Sequence, residues 1–72
     1  MHRQLVSSSR IRSIGYDPEK RILEIEFINK DIYQYINVPV RIHGKFISEA
    51  VVSKGRFFDG VIKDKFLCRK IK

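Results

Sequence analysis

The sequence predicts an α+β fold: a small antiparallel β-sheet with two short helices packed on one of its faces. Three observations carry this expectation. Apolar and polar residues alternate from Arg21 to Ile28, between turn-forming residues on either side. After Val38-Pro39 the apolar spacing changes to the three-and-four rhythm of a helix. The last residues, Phe66 to Ile71, alternate again. The expected sheet is a three-stranded meander joined by a C-terminal strand.

Each element follows from local chemistry. Asp17-Pro18-Glu19-Lys20 reads as a turn, since Asp caps the first position and Pro18 presets φ at the second. A first strand therefore precedes it, from about Arg10 to Tyr16. Ile11 and Ile14 are three apart and share a face only if a bulge lies near Arg12 or Gly15. The second strand, 21–28, places Leu23, Ile25 and Phe27 opposite Glu24 and Glu26. A two-residue turn at Asn29-Lys30 then closes on Ile28 and Asp31. That register pairs Phe27 with Ile32, Ile25 with Gln34 and Leu23 with Ile36 in a third strand, 32–38. It sets Tyr33 and Tyr35 beside Glu26 and Glu24 on the opposite face. Pro39 suits the first turn of a helix over 40–50, with Ile42, Phe46, Ile47 and Ala50 on one side. Ser53-Lys54-Gly55 breaks the chain before a second helix, 55–62, in which Phe57 and Val61, and Phe58 and Ile62, are i,i+4 pairs. The tail adds an edge strand whose Lys and Arg discourage further pairing.

The 72 residues make a single domain, too short for a barrel or a dinucleotide-binding sheet. The single Cys excludes an internal disulfide, and two His with no close spacing give no metal site. A domain this small depends on a well-formed sheet–helix core or on a second chain. No apolar run approaches the roughly 18 residues of a membrane helix. Residues 1–9 lack the apolar centre of a signal peptide. A cytoplasmic location is expected, with no membrane association and no cofactor, and residues 1–5 are expected to be loosely ordered.

Several short segments, in this order, resemble the KTSC domain family: Val6-Ser7-Ser8, Ile14-Gly15-Tyr16-Asp17, Tyr33-Gln34-Tyr35, Val38-Pro39, and Ala50 followed by Ser53-Lys54-Gly55 and Phe58. The resemblance covers roughly residues 5–71. It implies a relative of the C-terminal region of some lysyl-tRNA synthetases, or a stand-alone bacterial or phage protein, with RNA or tRNA as the implied partner. The family has no established catalytic residues, so none is carried over. This chain departs from the pattern at Asn29-Lys30-Asp31, where members often have Gly, and near His43, where they often have an aromatic residue.

The formal net charge is +7. Residues 1–36 carry six basic and five acidic residues, and residues 37–72 carry nine and three. Such a bias attracts polyanions without specifying one. Arg10, Arg12, Arg41, Lys45, Lys54, Arg56, Arg69, Lys70 and Lys72 are candidate phosphate contacts. The same residues also read as solvated cations that keep a small protein soluble. Ser53-Lys54-Gly55-Arg56 is a candidate anion site if it opens a helix, or a simple cap. Tyr33 and Tyr35 are candidate base-stacking residues on an open sheet face. The alternative is that they fill a core or a dimer seam. Cys68 and His43 have no partner residues for nucleophilic chemistry, and Glu24 and Glu26 lack a pocket to tune them. A nucleic-acid-binding module, RNA before DNA, is the expected function. A protein-interaction or homodimerisation module is the alternative, and an enzyme is not expected.

Overall fold

In the computed structural model, which describes residues 2–72, five strands form one antiparallel sheet in sequence order. They are β1 (Arg3–Leu5), β2 (Ile11–Asp17), β3 (Ile22–Phe27), β4 (Ile32–Tyr35) and β5 (Cys68–Lys70). Between β4 and β5 run α1 (Val40–Ile47), α2 (Lys54–Phe57) and a π-helical turn, Phe58–Ile62, continuous with α2. The α+β class and the C-terminal edge strand are as the sequence predicts. The first strand is an addition. Arg3–Leu5, expected to be loose, pair with Ser13–Gly15, so residues 3–5 are held by backbone hydrogen bonds.

The β2–β3 hairpin closes as its residues dictate. Asp17 Oδ1 accepts from the Glu19 and Lys20 N–H groups, an Asx turn that starts the loop. The register shifts between Ile11 and Ser13, which places the expected bulge at Arg12 rather than at Gly15. It turns Ile11 and Ile14 to the same side, and both are fully buried.

The β3–β4 register differs from the sequence expectation by one residue. Leu23 pairs with Tyr35, Ile25 with Tyr33 and Glu26 with Ile32. The loop holds three residues, not two. The Phe27 N–H donates to the Asp31 carbonyl, and the Lys30 N–H donates to the Phe27 carbonyl. Lys30 takes the left-handed conformation at φ 77°, and Asn29 Oδ1 accepts from the Asp31 N–H. The two-residue reading fails because Asn29 turns the chain with its side chain while Lys30 supplies the positive φ. Tyr33 and Tyr35 therefore share a face with Leu23 and Ile25, away from Glu24 and Glu26. β4 also ends earlier than expected, at Tyr35, with Asn37 left-handed at φ 59°.

Both helical segments lie on that apolar face. α1 stops at Ile47 rather than Ala50, because the Ser48 N–H and hydroxyl both bond the Lys45 carbonyl. Phe46 is fully buried and stacks on Phe57 with ring centroids 5.1 Å apart. Phe58 sits edge-on to Phe27 at 5.3 Å and to Tyr35 at 5.7 Å. The core joins Ile11, Ile14, Leu23, Ile25 and Tyr35 of the sheet to Val38, Phe46, Phe58 and Ile62. Burying each large aliphatic or aromatic side chain contributes about 1.5–3 kcal/mol. At one margin Tyr16 stacks flat on His43 at 4.7 Å and donates its hydroxyl to the Val38 carbonyl.

Two outcomes follow from these positions. Lys30→Gly removes left-handed strain and raises stability by about 1 kcal/mol in denaturant melts. Burial lowers the His43 pKa below its ordinary 6.5. The imidazole contribution to stability is thus full above 6.5 and is lost as pH falls through the depressed folded value. The thermal midpoint of the wild type should drop across that window, and His43→Phe should remove the step.

Candidate nucleic-acid interface

The second face of the sheet carries no helix. Its side chains form two rows that the register sets across the strands. The central row is Arg3, Gly15, Glu24, Gln34 and Arg69, one residue from each strand. Beside it run Leu5, Ser13, Glu26 and Ile32.

The central row is one hydrogen-bonded ladder. Arg3 donates to and pairs with Glu24 Oε2, while Gln34 Nε2 donates to Glu24 Oε1 at 2.9 Å. Arg69 reaches Gln34 Oε1 at 3.3 Å. Gly15 makes the first link possible. A Cβ there would lie 2.8 Å from the His2 carbonyl and 2.9 Å from Arg3 Cγ. The missing side chain lets Arg3 cross β2 to a carboxylate on β3. Glu24 is 5% exposed, and both of its oxygens have charged or amide donors.

The second row is more open. Ser13 Oγ donates to Glu26 Oε1 at 2.9 Å, and Arg12 Nε lies 3.8 Å from the same oxygen. The bulge projects Arg12 out beside Ser13. Two adjoining concavities share Arg3, Arg12 and Glu26. One, of about 440 Å³, extends to His2, Leu5 and Ser13. The other, of about 390 Å³, extends to Lys30, Ile32 and Lys72. Four basic side chains thus surround Glu26, and one of them, Arg3, is already matched by Glu24.

The structure distributes the sequence candidates unevenly. Arg12, Arg69 and Lys72 lie on this open face. Arg10 does not: its guanidinium grips Asp59 through two bonds of 2.8 and 2.9 Å and lies over Gly55. That hydrogen bond holds the Asp59 carboxyl below its usual range. Lys70 is 3.4 Å from Asp31, on the side of β5 that pairs with Tyr33. Arg41 and Lys45 are exposed on α1.

The helix start at Lys54 and Arg56 lies away from this open face. α2 is only four residues long, and Ser53 Oγ already accepts the Arg56 N–H. Lys54 Nζ donates to the Ser48 carbonyl at 3.2 Å. The two tyrosines face the helices rather than the open side. Tyr35 is 5% exposed within the core, where burial pushes its hydroxyl pKa up, and Tyr33 is half-buried against Phe27.

Arg3, Lys30 and Glu26 are the residues of this face that sequence reasoning did not select as ligand contacts. The alternation Arg3-Gln4-Leu5 and the side-chain-free Gly15 were the available signals for a further edge strand. The charge excess of the C-terminal half pointed elsewhere, since a count along the chain ignores strand order. Among the described residues no group of three His, Cys, Asp or Glu is placed to hold a metal ion. Nor, among these residues, is any helix long and apolar enough to cross a membrane.

A five-stranded antiparallel meander with one helix-covered and one uncovered face defines a small α+β domain, whose segment order matches the resemblance noted above. The chain belongs to the KTSC domain family, whose model matches residues 7–66. It is similar to a KTSC domain protein from Yersinia pestis known by crystal structure, with 65% identity and a TM-score of 0.93 over 99% of this chain and 97% of that one. It is also 41% identical over 63 residues to an uncharacterized protein of Stutzerimonas stutzeri (strain A1501), covering 88% of this chain and 86% of that one. A protein of Tsukamurella paurometabola is 38% identical over 63 residues, with 88% and 91% covered. The family match begins after β1 and ends before β5, so Arg3, Arg69 and Lys72 lie outside it and Arg12, Glu26 and Lys30 lie within.

Gly15→Ala tests the ladder. Crowding against the His2 carbonyl and Arg3 should lower stability by about 1–3 kcal/mol. Amide exchange at Arg3–Leu5 should accelerate more than exchange in β3.

Proposed function

We propose that this domain binds single-stranded RNA on the open face of its sheet, through phosphate contacts from Arg3, Arg12, Lys30, Arg69 and Lys72. The observation that carries the reading is the convergence of cations from β1, β2, the β3–β4 loop and the chain end on one helix-free surface. The surface is shallow and polar, which suits a flexible strand that lays its backbone over it. Its apolar partners are aliphatic, so binding is electrostatic rather than built on stacked rings. The tRNA-synthetase context of the resembled family favours RNA, and a bacterial or phage cytoplasm is the accompanying setting.

A second reading rests on Leu5, Leu67 and Ile71, which are 71%, 79% and 45% exposed along the rim of the sheet, Leu5 on β1 and the other two flanking β5 at the opposite edge. A second copy covering that rim would make the domain a self-association module. Sedimentation at several concentrations separates the two readings, since an RNA-binding monomer has no need of that contact.

The direct test is a titration of tRNA and of single-stranded oligoribonucleotides at two salt concentrations. Affinity should fall with salt, with a slope of about −0.7 for each phosphate neutralised. Arg12→Ala with Lys30→Ala should weaken binding about tenfold at low salt and flatten the slope. Lys54→Ala with Arg56→Ala, off this face, should change affinity little. Absence of binding at low salt would sink the proposal.

A further inference from the structure

The concavity between β2, β3 and the chain end holds one acidic group among its cations, and that group has no place in a purely electrostatic surface. A carboxylate beside a phosphate track repels the ligand. Glu26 is nevertheless held there. Ser13, itself 3% exposed, donates to its Oε1, and Arg12 approaches the same oxygen. Among the described residues no donor reaches Oε2. The carboxylate is thus oriented through one oxygen, and Glu26 lines a space with Arg12, Lys30 and Lys72. That space, about 390 Å³, is within the range of small-ligand sites.

Resting on the RNA-binding reading, we infer that this concavity is a nucleotide-reading subsite: Glu26 Oε2 accepts a hydrogen bond from the exocyclic amino group of one base while Arg12, Lys30 and Lys72 hold its flanking phosphates. A carboxylate is acceptor-only at neutral pH, so it favours base edges that offer amino hydrogens. Cytosine presents its N4 amino group to such an acceptor. Uracil, of the same size, presents a carbonyl oxygen at that position, and two acceptors repel. The flanking cations screen the carboxylate from the phosphates, which a lone surface Glu would not achieve. Cytosine over uracil is therefore the discriminating choice, with Ser13 as the positioning residue for the carboxylate.

The experiment compares oligo(C) and oligo(U) of equal length, by anisotropy at one salt concentration, on the full chain. Wild type should bind oligo(C) about fivefold more tightly than oligo(U), the size expected of one charged hydrogen bond open to solvent on one side. Glu26→Gln should bring the ratio close to one, because an amide both donates and accepts. Glu26→Asp keeps the charge but draws the carboxylate back by one methylene, and should lower the ratio as well if the Gln variant does not fold. Arg12→Ala should weaken both ligands and leave their ratio unchanged. Equal wild-type affinities that still fall with salt overturn the subsite and leave the RNA-binding proposal standing. No binding of either oligonucleotide or of tRNA overturns both.

Discussion

The two hydrogen bonds that close the β3–β4 hairpin, between the Phe27 N–H and the Asp31 carbonyl and between the Lys30 N–H and the Phe27 carbonyl, set the register on which both sheet faces depend. The side-chain period of a strand is two residues, so a one-residue shift exchanges every neighbour across the pair. With the observed register, Tyr33 and Tyr35 join Leu23, Ile25 and Phe58 under the helices. Gln34 and Ile32 join Glu24 and Glu26 on the open side. A left-handed Lys30 is the local strain that accompanies this arrangement. The same residue lines the concavity beside Glu26.

The open face is ordered by polar bonding, where the covered face is ordered by packing. Glu24 would be a costly buried charge if either neighbour were lost, because a nearly buried carboxylate needs its donors. Its partners come from β1 and β4, so the ladder ties the first strand to the centre of the sheet. Gly15 is the gap through which Arg3 reaches it. On the opposite side, Arg10 and Asp59 join the start of β2 to the π turn, in a pair exposed enough to be weakened by solvent and salt. The π turn keeps Phe58 and Ile62 in the core while extending the helix past Gly60.

The proposed function rests on the asymmetry of the two faces. The helix layer consumes the aromatic side chains, which removes the stacking platform and leaves aliphatic and charged groups outside. Such a surface presents charged side chains to solvent and keeps the rings inside. Family membership places the architecture among KTSC domains, and the strong likeness to the Yersinia pestis domain extends over β1 and the chain end as well as the family core.

Much of the fold could be read from the residues because it rests on local rules. The Asp17-Pro18 turn, the bulge required by Ile11 and Ile14, the helix after Pro39, the Ser53 cap and the C-terminal strand each follow from a few neighbouring side chains. Arg12, Arg69 and Lys72 could likewise be chosen by charge type. What remained closed to that reading depends on distance in space. Whether the hairpin loop holds two residues or three turns on a single backbone φ, and the aliphatic pattern of β3 and β4 tolerates either choice. Whether Arg3 is a loose terminus or a ladder end depends on Gly15 and Glu24, which are 12 and 21 positions away. Whether a cation is free or spent depends on partners such as Asp59 for Arg10, 49 positions off. Composition and periodicity set the kinds of surface the chain could form. Long-range pairing alone decided which charges share one, because only the closed sheet brings the strands within hydrogen-bond reach.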